Sequence, residues 1–95
     1  MALQVRWSDK SREDITHIYA FYAEKSKAAA DRILLEIVQM AEGIRFAEQY
    51  QQDEYNAAYR RMIVRHYKIL YRVEADTVFI AHVFDTRQNP RKHPA

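Results

Sequence analysis

The strongest constraint on this chain is a run of strand patterning from Tyr59 to Phe84, broken only by two short turns. Met62 and Val64 alternate with Arg61 and Ile63, and a tight turn is expected at Arg65–His66. Tyr67, Ile69, Tyr71 and Val73 then alternate with His66, Lys68, Leu70 and Arg72, the clearest strand signature in the sequence. Glu74-Ala75-Asp76 reads as a hairpin turn. Thr77 to Phe84 is apolar on both sides except at His82, which suits a central strand covered on both faces. Connections this short join antiparallel neighbours, so the segment is expected to fold as a three-strand meander.

A meander buries its apolar face only if something covers it, and the upstream sequence supplies helices. Leu3, Val5 and Trp7 alternate with Ala2, Gln4 and Arg6 as a short strand. Ser8 is placed to cap a helix over about residues 9–24, with Ile15, Ile18, Tyr19 and Tyr22 on one face. Ser26 is placed to cap a second helix, whose stripe is Ala30, Ile33, Leu34, Ile37, Val38, Ala41 and Ile44. Gly43, the single glycine, is expected to end that helix in the left-handed conformation. With so little chain around Lys25–Lys27, the two helices should form an antiparallel hairpin. Residues 45–57 are polar and without period, which predicts a surface loop with one helical turn near Phe46–Tyr50. From about residue 86 the tail, with Pro90 and Pro94, is expected to be irregular. The predicted fold is therefore a single α+β domain over residues 1–95. Its order is β-α-α-β-β-β, with a helix hairpin packed on one face of an antiparallel sheet.

Composition narrows the setting. Over 95 residues, 48% are hydrophobic and 29% charged, the balance of a globular domain rather than a disordered chain. There is no cysteine, so disulfides and cysteine-ligated zinc are excluded. No apolar stretch approaches the roughly 20 residues of a membrane span, and Met1 to Asp9 lacks the features of a signal peptide. The expected location is the cytoplasm. His17, His66, His82 and His93 are too far apart for metal-ligand spacing, and neither a metal nor another cofactor is expected.

Charge is unevenly spread. Residues 1–58 carry seven Lys/Arg against ten Asp/Glu, whereas residues 59–95 carry eight against three. Tyr55 to Val73 holds Arg60, Arg61, Arg65, Lys68 and Arg72 and no acid. Either the sheet face away from the helices meets something anionic, or it is simply solvated.

The sequence resembles the RelE/ParE toxin superfamily, also called the plasmid stabilisation family. The opening VRWSDKSREDITHIYAFYAE is similar to the family's first strand and helix, and YRRMIVRHYKILYRVEADTVFIAHVFDTRQNP to its meander. Tyr67 to Val73 and Val83 to Pro90 carry most of the likeness. The resemblance implies the toxin of a bacterial type II toxin–antitoxin system, neutralised by a cognate antitoxin. RelE-like members cleave mRNA on the ribosome without a metal, and ParE-like members inhibit DNA gyrase.

Metal-free RNA cleavage needs a base, an acid and cations at the phosphate. Carried over by the resemblance, Arg61, Lys68 and Arg87 match the RelE-like basic positions, the last after a one-residue gap. The tyrosine or histidine that such nucleases place after the last strand has only His93 as its counterpart, in a tail between prolines. A C-terminal helix is missing as well. The short C-terminus therefore resembles ParE-like members more closely. The expected partners are a cognate antitoxin and either DNA gyrase or the ribosome with its mRNA, with a homodimer or a toxin–antitoxin hetero-oligomer as the assembly. A nontoxic RNA- or protein-binding module is the third reading.

Structural roles compete for the same residues. Arg60 and Arg61 are adjacent and so point to opposite faces. Lys68 fits a surface strand lysine, His66 an exposed turn, and His82 a hydrogen-bonded structural histidine. Tyr19, Tyr22, Tyr67 and Tyr71 follow core periods. Tyr50, Tyr55 and Tyr59 do not, which leaves one of them available to a partner.

Overall fold

The structure is a computed structural model that describes residues 3–87. The order is β1 (Gln4–Trp7), α1 (Asp9–Ala23), α2 (Lys27–Glu42), a 3-10 turn (Ala47–Gln49), β2 (Arg60–Val64), β3 (Tyr67–Glu74) and β4 (Thr77–Asp85). The strands lie in the order β1-β4-β3-β2. The meander is antiparallel, as its turns require, while β1 runs parallel to β4 from Gln4 beside Thr77 to Trp7 beside Ile80. The four-stranded sheet is therefore mixed. The expected irregular tail lies outside the described residues from 88 onward, and Thr86–Arg87 form a turn.

The alternating apolar positions become one core face. Met62, Val64, Tyr67, Ile69, Tyr71, Val78 and Ile80 are buried against Ile33, Ile37, Ala41 and Ile44. The spacing of those α2 residues keeps one stripe on the sheet, and each large aliphatic side chain contributes about 1.5–3 kcal/mol on burial. Tyr71 is fully buried, and its hydroxyl donates to the Ala47 carbonyl at 3.0 Å, which ties the 3-10 turn to the sheet.

Both predicted caps form: the Ser8 and Ser26 side chains accept the N–H groups of Ser11 and Ala29. Gly43 does not adopt the expected left-handed conformation; its φ is −86°. The end of α2 tightens instead, with Gly43 N–H on the Met40 carbonyl and Ile44 N–H on that of Ala41. Glycine matters there for space, since a Cβ would lie 3.2 Å from the Gln39 carbonyl oxygen. The left-handed positions are Arg65 and Ala75, with φ of 56° and 53° in the two hairpin turns.

Helix α1 has a different task from α2. Strand β1 stops opposite Ile80, while β4 continues to Asp85 and presents a bare edge. Helix α1 covers it with side chains. The Ser8 hydroxyl donates to the Ala81 carbonyl at 2.9 Å, and Asp14 accepts the Val83 N–H at 2.9 Å. Its buried residues are accordingly Ser11 and Asp14, with Ile15, Ile18 and Tyr22 packed on the core margin. Tyr19 departs from its expected core position: its hydroxyl donates to Asp31 at 2.6 Å and links the helices at the surface.

Candidate functional site

The face away from the helices carries Arg61, Ile63, Lys68, Leu70, Arg72, Phe79 and Phe84 in alternation. It was expected to be bare and cationic. Instead, the segment 51–59 pairs along the β2 edge and folds over Lys68 as a strap. Gln52 bridges Arg60, the Asp53 N–H donates to the Tyr59 carbonyl at 2.9 Å, and the Arg61 N–H donates to that of Gln51 at 2.9 Å. The Asp53 carboxylate accepts the N–H groups of Tyr55 and Asn56 at 3.1 and 2.9 Å, a turn that aspartate favours.

That turn aims the other Asp53 oxygen at Lys68. The ammonium donates to it at 2.7 Å, and both side chains are buried. The Tyr55 ring lies 5.2 Å from the Lys68 nitrogen and the Phe84 ring 5.7 Å. Lys68 is thus not the exposed strand lysine that alternation predicts. Arg61 donates through Nη2 to the Gln51 side chain at 3.2 Å, and its Nε is buried without a partner among the described residues. Arg61, Lys68, Glu54, Tyr55 and Thr86 line one cleft of about 280 Å³.

Arg87 is held elsewhere. It grips Asp85 through Nε and Nη2, the latter at 2.6 Å, and lines a separate cleft along α1 with Lys10, Asp14, His17 and Tyr67. The Arg87 guanidinium holds the Asp85 carboxyl below its usual range. The structure therefore brings Arg61 and Lys68 together and leaves Arg87 at the end of β4. His93 lies outside the described residues. Among the described residues, no three histidines, cysteines or acids gather to hold a metal.

The other cations are also engaged. Arg65 forms a two-point pair with Glu36, Arg72 pairs with Glu74 and stacks over Phe79 at 4.6 Å, and Arg60 donates to the Tyr50 carbonyl at 2.9 Å. His82 is hydrogen-bonded through Nδ1 to Asp14, as its apolar strand suggested, and His66 contacts the Tyr22 hydroxyl at 3.3 Å. Of the tyrosines outside core periods, Tyr50 packs edge-on against Tyr71, and Tyr55 stays exposed over Lys68. Sequence reasoning missed Asp53 and Glu54, because a strap held by backbone bonds has no hydrophobic period. The available signal was Asp53 followed by Tyr55-Asn56, a turn-forming acid in an otherwise polar run.

Fold and site together define a class: a small two-layer α+β protein with a helix hairpin on one sheet face and a strapped cleft holding a buried ion pair on the other. The chain belongs to the ParE toxin family of type II toxin–antitoxin systems; the family model described as "ParE toxin of type II toxin-antitoxin system, parDE" matches residues 5–90. Among solved structures, the chain is similar to the chromosomal ParDE toxin–antitoxin system from P. aeruginosa. That match has 15% identity and a TM-score of 0.77, covering 87% of this chain and 95% of the other. A second match is the YoeB dimer from Staphylococcus aureus, with 17% identity, a TM-score of 0.43, and 86% and 94% of the two chains covered. No curated protein matches the chain. Among the described residues, no helix is long and apolar enough to cross a membrane.

Proposed function

We propose that this toxin acts by binding and inhibiting DNA gyrase, and that a cognate antitoxin holds it inactive. The observation that supports the reading most is the Lys68–Asp53 pair. An ammonium neutralised and buried by its own chain is unavailable to a scissile phosphate, and Arg87 is likewise occupied by Asp85. What the cleft retains is recognition chemistry: aromatic edges and a partly satisfied guanidinium. Membership of the ParE family points to the same mode of action.

A ribosome-dependent mRNA endonuclease is the second reading. Glu54 favours it, as a carboxylate lining the same cleft as Arg61 and Lys68. Inducing the chain in a bacterial host separates the two. The gyrase reading predicts filamentation and a DNA-damage response with full-length transcripts. Cut transcripts and arrested translation before any DNA damage would overturn it. Antitoxin binding to the folded chain must also raise its thermal stability, so an unchanged Tm in the mixture would contradict the pairing.

A further inference from the structure

A bulge in β4 hollows the sheet face away from the helices. Up to Ile80 the strand runs in step with β3, with Phe79 beside Arg72 and Ile80 beside Tyr71. Leu70 then faces His82, so Ala81 is the extra residue. A bulge bends its strand, and the short Ala81 side chain leaves the bend unfilled. The Ser8 hydroxyl donates to the Ala81 carbonyl at 2.9 Å and holds the backbone there. The hollow is a cleft of about 520 Å³ with Leu70, Phe79 and Ala81 in its lining. That is the size of a small-molecule site.

One row of side chains crosses this cleft. Arg6 lies beside Phe79, and Phe79 beside Arg72, on neighbouring strands about 5 Å apart. Tyr59 precedes β2 and Lys10 follows β1, so they border the cleft from opposite edges of the sheet. The Arg72 guanidinium lies over the Phe79 ring at 4.6 Å and presents a flat surface on which another ring can stack. Lys10 and Arg72 are paired with Asp14 and Glu74, whereas Arg6 is exposed and has no ion pair among the described residues. Glu54 lines the strapped cleft, and Asp14 and Asp85 line the cleft along α1. Among the described residues, no acid lines this one. The lining therefore selects a flat apolar body joined to an anionic tail.

We infer that this cleft binds a purine nucleoside polyphosphate. The base stacks on the Arg72 guanidinium, against Leu70 and Tyr59, and the phosphates meet Arg6 and Lys10. A peptide fits less well, because the main chain beneath the cleft is spent in the sheet and offers no ladder bonds. A nucleic acid strand needs a groove open at both ends, whereas this cleft stops at Tyr59 and at the start of α1. The inference goes beyond the gyrase reading and does not depend on it.

The test is a calorimetric titration of the full chain at one ionic strength, with NMR of the labelled chain to locate each ligand. The probes are ATP, GTP, adenosine, inorganic triphosphate and a short oligothymidylate. ATP or GTP should bind saturably and shift the amide signals of Arg72, Phe79 and Ala81. Adenosine and triphosphate each carry half of the ligand and should bind at least about tenfold more weakly. Arg6→Gln removes an exposed charge and should bring the nucleotide down toward the affinity of adenosine. Arg72→Lys keeps the charge but removes the flat surface, so it should bring the nucleotide down toward the affinity of triphosphate. Both variants should keep their Tm; if either melts early, the ligand series on the unaltered chain still decides. No saturable binding of either nucleotide, triphosphate bound as tightly as ATP, tighter binding of oligothymidylate, or shifts confined to the other clefts would each overturn the inference. So would full nucleotide affinity in both variants.

Discussion

The Lys68 ammonium sits 2.7 Å from an Asp53 oxygen, with both side chains buried between the strap and the sheet. Removing one partner leaves an uncompensated buried charge, which costs about 3–5 kcal/mol. Lys68→Met should therefore unfold at much lower denaturant concentration than the unaltered chain. Replacing both, Lys68→Met with Asp53→Leu, should cost clearly less than the sum of the single changes. Additive losses in a denaturant titration would show that the pair does not act as a unit.

Asp14 gives stability a defined dependence on acid. Burial pushes its carboxyl up, but hydrogen bonds from His82 and the Val83 N–H outweigh that and hold it below the ordinary 3.8. A carboxyl depressed by folding stabilises the native state above its unfolded pKa and loses that contribution as pH falls through the folded value. Asp85 beside Arg87 and Glu36 beside Arg65 shift in the same direction. The Tm should fall steeply below about pH 4. In Asp14→Asn it should start lower at neutral pH and fall less steeply; an identical pH profile would contradict the role given to Asp14.

Ser8 joins two elements at once, capping α1 and donating to the β4 edge at Ala81. Ser8→Ala loses both bonds and should destabilise the chain by about 1–2 kcal/mol, at the upper end for a cap. Ser26 caps α2 at an exposed site. Ser26→Ala should cost about 0.5–1 kcal/mol, so equal losses in thermal melts would argue against the edge bond.

Ala75 holds φ at 53° in the β3–β4 turn, a conformation that costs a non-glycine residue about 1 kcal/mol. The residue is exposed. Ala75→Gly should therefore raise stability by up to about 1 kcal/mol, reduced by the greater freedom of glycine in the unfolded chain. A lower Tm would show that the turn is not strained.

Much of this fold is readable from residue order because its strands and helices obey single periods. The meander, both serine caps and the helix hairpin follow from alternation, cap chemistry and short connections. Tyr19 and Gly43 departed from expectation because polar and steric neighbours decided them: Asp31 drew the phenol outward, and a tightened helix end left no left-handed residue. The candidate site was the least legible part. Lys68 looked like a surface lysine because its buried partner, Asp53, comes from a strap without hydrophobic period. Likewise, the polar buried face of α1 reflects a β4 edge left uncovered where β1 ends, a relation between elements that no local pattern carries.

The target is tested most directly by ATP-dependent supercoiling of relaxed plasmid by purified gyrase, with increasing amounts of this chain, alone and premixed with its antitoxin. The chain should block supercoiling, and the antitoxin should restore it. Undiminished supercoiling at every ratio, with the same preparation cutting mRNA on ribosomes, would contradict the gyrase reading.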